Sequence, residues 1–171
     1  MTSGAVTNAG AARIDLRGGA SQVATGVAVL DHLLDELARA GGFGVVLEIA
    51  PDEPEAEVGR AGEALGDALA PLLAAEGAGR GSGLAPADEA LAMVVVEASG
   101  RPLVVSNADL TSTRAGGLQS DLAATFLDEL ADAAGLTIHV RLIEGEDSQH
   151  VLSAIFKALG IALANATRGE A

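Results

Sequence analysis

The side chains able to do chemistry in this chain are few and unevenly spread. Of 171 residues, 24 are Asp or Glu, 10 are Lys or Arg and 3 are His, with no Cys. The histidines are His32 in Leu30-Asp31-His32-Leu33-Leu34, His139 in Thr137-Ile138-His139, and His150 in Asp147-Ser148-Gln149-His150. Without thiols there are neither disulfides nor thiolate metal sites. Carboxylates crowd two stretches, 52–57 and 144–147. Each reads as a solvated acidic loop or as a set of oxygen ligands for a hard cation. Arg80 and Arg101 stand in turn-like strings, where an exposed ion pair with one of the many acids is the plain reading. Lys157 stands on a helical stretch, where the plain reading is a solvated face.

The formal net charge of −14 argues against nucleic acid as a partner, because phosphate binding needs clustered cations. It argues equally against an anionic membrane surface. Residues 1–10 hold no basic run followed by an apolar stretch, so they do not read as a signal peptide. No apolar run reaches the ~18 residues of a membrane span. A soluble cytoplasmic protein is expected. Half the residues are hydrophobic but only 2% are aromatic, so the core must be built from Leu, Val, Ile and Ala.

The elements that must position these groups follow from periodicity. Residues 1–12 are small and polar and are expected to be flexible. Leu30, Leu33, Leu34 and Leu37 recur at helical spacing and predict a helix over 29–40, ended by Gly41-Gly42. Further helices are expected at 56–74, 118–134 and 149–167. Strands are expected at 13–16, 21–24, 43–49, 92–98, 103–106 and 136–143. The Gly-rich stretch 76–83 reads as a turn.

The chain also repeats itself. Leu34-Asp35-Glu36-Leu37-Ala38 returns 93 residues later as Leu127-Asp128-Glu129-Leu130-Ala131. The helix around Glu63-Ala64-Leu65-Gly66 returns 94 residues later around Lys157-Ala158-Leu159-Gly160. Each copy runs helix, Gly, strand, acidic loop, helix. Two half-repeats, 13–85 and 86–171, are therefore expected within one globular unit. Each supplies one sheet and two amphipathic helices whose apolar stripes need burying. The fold class is α+β, internally duplicated, with two mixed sheets sandwiching a layer of four helices.

Several strings, in order, resemble one family. Thr25-Gly26-Val27-Ala28-Val29-Leu30-Asp31-His32-Leu33-Leu34 is similar to the Thr-Gly-x-x-Phe-Leu-Asp-His-Met-Leu signature of imidazoleglycerol-phosphate dehydratases. Pro86-Ala87-Asp88-Glu89-Ala90-Leu91 and Ser99-Gly100-Arg101-Pro102 resemble two more of its motifs. Gly145-Glu146-Asp147-Ser148-Gln149-His150, with Ala154-Ile155-Phe156-Lys157-Ala158, resembles its Gly-x-Asn-x-His-His-x-x-Glu-Ala-x-Phe-Lys-Ala. The likeness runs from about Arg13 to Thr167. It implies the duplicated sandwich, a histidine-biosynthetic lyase reaction that removes water from imidazoleglycerol phosphate, and two manganese ions. It implies that each ion takes several His and one Glu, and that basic residues hold the phosphate.

Carried over residue by residue, the resemblance places His32, His139 and His150 at ligand positions. Gln149 stands for the first His of the second pair and Ser153 for its Glu. In the first half Glu55 and Ala56 replace the His-His pair and Gly59 replaces the Glu. One weakly held ion would use some of His32, His139 and His150 with Glu55 or Asp147. Arg80, Arg101 and Lys157 match phosphate contacts, and Glu36 stands for a family glutamine. No counterpart of the family's N-terminal Arg-x-Thr-x-Glu-Thr segment or C-terminal Pro-Ser-x-Lys-Gly tail is expected. The expectation is a dehydratase-like protein with weak or no activity. The alternatives are a working lyase with a rearranged metal site and a metal-free binder of a small phosphate ester. The family's assembly implies a trimer, or a 24-mer if metal is retained.

Overall fold

A computed structural model describes residues 2–6, 10–110 and 122–169. The first half runs β1 (Thr2–Val6), β2 (Gly10–Asp15), β3 (Gln22–Ala24), α1 (Ala28–Gly41), β4 (Gly44–Ile49) and α2 (Pro54–Leu73). The second half runs β5 (Arg80–Ala87), β6 (Ala90–Glu97), β7 (Leu103–Ser106), α3 (Leu122–Ala134), β8 (Thr137–Glu144) and α4 (Ser148–Arg168). The two sheets have the same topology, β1-β2-β4-β3 and β5-β6-β8-β7. In each, the first two pairings are antiparallel and the last is parallel. The duplication read from two short strings therefore extends to every strand.

The helices form a shared layer. α2 packs on α3 and α1 on α4, so each half covers the other. Phe126 and Phe156 meet in this layer with ring centroids 5.3 Å apart, both fully buried. α1 buries Leu30, Leu33, Leu34 and Leu37, as its spacing requires. It stops at Gly42, which adopts the left-handed conformation (φ 70) and donates to the last carbonyls. α4 is long and apolar enough to cross a bilayer, but 72% of its apolar window is buried inside the fold. It is the central core helix.

The structure corrects three local expectations. Residues 2–6 pair with β2 from Thr2↔Asp15 to Val6↔Ala11, so part of the segment expected to be flexible is an edge strand. Residues 80–83, read as a turn, begin β5. The glycines there serve packing. A Cβ at Gly81 would lie 2.2 Å from the Ala162 carbonyl, and one at Gly83 2.2 Å from the Ala158 carbonyl. Only Gly lets β5 lie directly on α4. Residues 54–55, read as part of an acidic loop, belong to the first turn of α2, with Pro54 at its start. The opening of the helix expected from residue 118 lies outside the described residues.

Candidate functional site

The α1–α4 interface opens into a cleft of about 430 Å³. Its floor is Ala28, Val29, Leu33 and Leu152, and its polar wall is His32, Glu36, Asp88, Gln149, His150 and Ser153. Helical spacing explains the convergence. His32 and Glu36 are four residues apart on α1, and His150 and Ser153 are three apart on α4, so each pair shares one face. The Thr25–Leu34 string fixes the start of α1. Thr25 is fully buried and donates its backbone N–H to Asp31 Oδ1 at 2.9 Å. The start of α4 is fixed by Asp147, whose Oδ1 accepts from Gln149 N at 2.9 Å and His150 N at 3.1 Å.

Both imidazoles are engaged by carboxylates. His32 Nε2 lies 2.8 Å from Glu36 Oε1, and Ser153 Oγ donates to Glu36 Oε2. His150 Nδ1 lies 2.8 Å from Glu89 Oε2, and its Nε2 lies 3.3 Å from Asp88 Oδ2. The hydrogen bond that His150 donates to Glu89 raises the His150 pKa above its ordinary value, and Asp147, Glu89 and Asp88 add to it by charge. The same hydrogen bond holds the Glu89 carboxyl below the usual range. Asp88, in the left-handed region (φ 52), turns the β5–β6 hairpin towards α4. The site can hold and exchange protons on paired imidazole–carboxylate units. Among the described residues its lining carries no Lys or Arg.

His139 is elsewhere. It alternates with buried Ile138 and Val140 on β8 and therefore faces outward, paired with Val95 and Val105. There it lines a separate groove of about 450 Å³ with Arg141, Asn107 and Ser106 over Met93, Val95 and Val105. The second sheet stands between this groove and the helix layer that forms the cleft. Within one chain His32 and His150 meet and His139 does not join them. Glu55 is exposed on the first turn of α2, and Asp147 caps α4 beside His150.

The basic residues do not converge either. Arg80 opens β5 and pairs with Glu97 at 3.5 Å, and Arg101 is exposed in the β6–β7 turn. Lys157 lies one turn beyond Ser153, with Nζ 3.4 Å from the Pro86 carbonyl at the other end of β5. At ~3.3 Å per strand residue, Arg80 and the Asp88 end of the hairpin are about 25 Å apart.

The duplication puts a matching helix contact between α2 and α3. There Gly59 corresponds to Ser153, Ala56 to His150, and Thr125 and Glu129 to His32 and Glu36. A Cβ on Gly59 would lie 3.7 Å from Glu129 Cγ and 3.8 Å from Thr125 Cγ2. The correspondence holds in space, and no imidazole stands at these positions. Burial, with the charges of Asp132, Glu63 and Asp128, raises the Glu129 pKa. Sequence reasoning missed Asp88 and Glu89 as site residues. The Glu89 contact with His150 spans 61 residues, and neither contact leaves a periodic trace.

A family model described as imidazoleglycerol-phosphate dehydratase matches residues 25–163. Among curated proteins, the imidazoleglycerol-phosphate dehydratase of Acetivibrio thermocellus is 36% identical over 157 residues, spanning 89% of this chain and 80% of the relative. That of Pelobacter propionicus is 39% identical over 160 residues, spanning 91% and 82%. The crystal structure of imidazoleglycerol-phosphate dehydratase from Staphylococcus aureus superposes with a TM-score of 0.85 at 30% identity, covering 97% of this chain and 98% of that one. The Pyrococcus furiosus enzyme in complex with (S)-C348 gives a TM-score of 0.82 at 28% identity, covering 98% and 94%.

Proposed function

This chain belongs to the imidazoleglycerol-phosphate dehydratase family, and from that premise we propose that it is a degenerate member whose dehydratase activity is weak or absent. The observation that carries this reading is the donor set. The family's resemblance calls for two manganese ions, each held by several imidazoles and a carboxylate. In this chain the α4 set, Gln149, His150 and Ser153, offers one imidazole and no carboxylate. The α2 set, Glu55, Ala56 and Gly59, offers one carboxylate and no imidazole. Amide and hydroxyl oxygens are weak partners for such an ion beside imidazole and carboxylate. Among the described residues no three His, Asp or Glu side chains are arranged to hold a metal ion. The residues present do not fit the two-ion centre. A neighbouring copy that contributed its outward-facing His139 would leave both helix-borne sets as they are.

Function would then reside in assembly or binding. With the metal centres gone, the particle is a trimer rather than the 24-subunit shell. A direct dehydratase assay tests the reading: turnover comparable to that of a relative with the full donor set overturns it, and no turnover with added manganese upholds it.

One observation favours a second reading, a working lyase with rearranged ligands. Glu36, Asp88, Glu89 and Asp147 surround His32 and His150 with four carboxylates. Manganese bound at stoichiometric level, and released by substituting Asp88 or Glu89, would decide for it.

A further inference from the structure

A buried carboxylate outside the cleft has no role in the reading above. Glu57, on the first turn of α2, is only 5% exposed. No hydrogen bond or ion pair joins its side chain to a described residue, and since no buried side-chain oxygen among the described residues lacks a partner, its carboxylate oxygens keep contact with solvent. Its Oε2 would lie 1.9 Å from a Cβ on Gly26, and its Cδ 2.6 Å. The carboxylate thus rests on the bare Cα of Gly26, immediately before Val27, which opens α1 without a side-chain cap. Gly26 has φ +89, a conformation that favours glycine.

The duplication supplies the control. Ninety-four residues on, the position of Glu57 is held by Val151, also buried and in the first turn of the matching helix. Burial at that point of the fold is met by valine, so the charge at Glu57 is not there for packing. A carboxylate on a mostly buried side chain is costly to hold away from bulk water, and a favourable local field offsets part of that cost. Glu57 lies in the first turn of its own helix, α2, and its carboxylate reaches the Gly26 turn that leads into α1. It therefore stands near two helix N-termini, where the first N–H groups have no partner within the helix and the macrodipole is positive.

We propose that Glu57 is a positioning residue. It reaches from α2 to set the Thr25-Gly26-Val27 turn and the first turn of α1, and so orients His32 and Glu36 in the cleft. The proposal goes beyond the functional reading and stands whether or not the chain turns over substrate.

The test is amide hydrogen exchange, with imidazole NMR, on the full chain carrying Glu57→Val or Glu57→Gln. Only three histidines give signals, and loss of one in His32→Gln identifies it. Glu57→Val should fold with an unchanged or higher melting temperature, because Val151 fits at the matching place. Exchange at Ala28, Val29 and Leu30 should nevertheless rise by roughly fivefold or more, and the His32 resonance should move. The first turn of α4 and the His139 resonance should not respond. Glu57→Gln keeps the shape and should act in the same direction, and it decides alone if the valine variant does not fold. Exchange at 28–30 within about twofold of the parent in every folded variant, with His32 unmoved, overturns the proposal.

Discussion

Replacing Gly160 by Ala should strain the helix pair that forms the cleft more than the matching substitution does in the other half. Gly160 lies on α4 where it crosses α1. A Cβ there would meet the Leu37 carbonyl oxygen at 2.1 Å and its carbon at 2.9 Å. Both are backbone atoms of a buried helix and neither can swing aside. From the other side, a Cβ on Gly41 would meet the Gly160 carbonyl at 2.5 Å. To reach ordinary contact the helices must part by roughly 1 Å, and over-packing of this kind costs about 1–3 kcal/mol. For a chain of this size that lowers the melting temperature by about 2–4 °C per kcal/mol, or roughly 2–12 °C. Gly66, 94 residues earlier, crosses α3 in the same way. Its nearest obstacle is the Ala133 methyl at 2.7 Å, with the Leu130 carbonyl at 3.0 Å, so Gly66→Ala should cost less. Thermal unfolding of both variants by circular dichroism gives the comparison. A Gly160→Ala melting temperature within about 1 °C of the parent, or a larger loss for Gly66→Ala, would refute the reasoning from backbone contact.

Other outcomes follow from the cleft. The His150–Glu89 contact makes stability depend on pH in a defined window. The raised His150 pKa gives stability fully present below about 6.5 and lost as pH rises through the folded value. The lowered Glu89 pKa gives stability present above about 4.5 and lost as pH falls through its folded value. The contact is therefore fully made between those limits, and Glu89→Gln should bring the His150 NMR titration down towards its ordinary value. An unmoved titration would show that Glu89 does not govern it. Asp147→Ala removes the cap of α4 and should cost about 1 kcal/mol, read by urea unfolding. Restoring donors with Gln149→His and Ser153→Glu together should raise manganese affinity at least about tenfold by calorimetry. No gain would mean that the missing donors are not what limits binding.

Much of this molecule was legible in its sequence, and for a physical reason. The leucine spacing of α1 and the string repeated 93 residues later record which faces are buried, and burial has a period. The segments misread were those where close approach replaces periodicity. Gly81 and Gly83 look like turn residues, yet they are the small inner face of β5 against α4. Residues 2–6 have β-branched side chains only at their ends, Thr2 and Val6, with Ser3, Gly4 and Ala5 between, and their pairing with β2 rests on backbone hydrogen bonds. Glu57 sat in an acidic run that read as solvated, although its match to Val151 in the repeat carries the signal that it is buried. The coming together of His32 and His150 followed from the resemblance. The clasp of Asp88 and Glu89 on His150 did not, because a hairpin folding back on a helix 61 residues away depends on tertiary geometry alone. His139 was grouped with the other two by descent, and strand alternation on β8 turns it to the opposite face.

The claim on which the functional reading rests is that these side chains cannot hold the family's two ions. Native mass spectrometry of the purified protein, with and without added manganese, reads ion stoichiometry and particle size together. The expected result is under about 0.2 manganese per chain and a trimer in both conditions. Two ions per chain in a 24-subunit particle would contradict it.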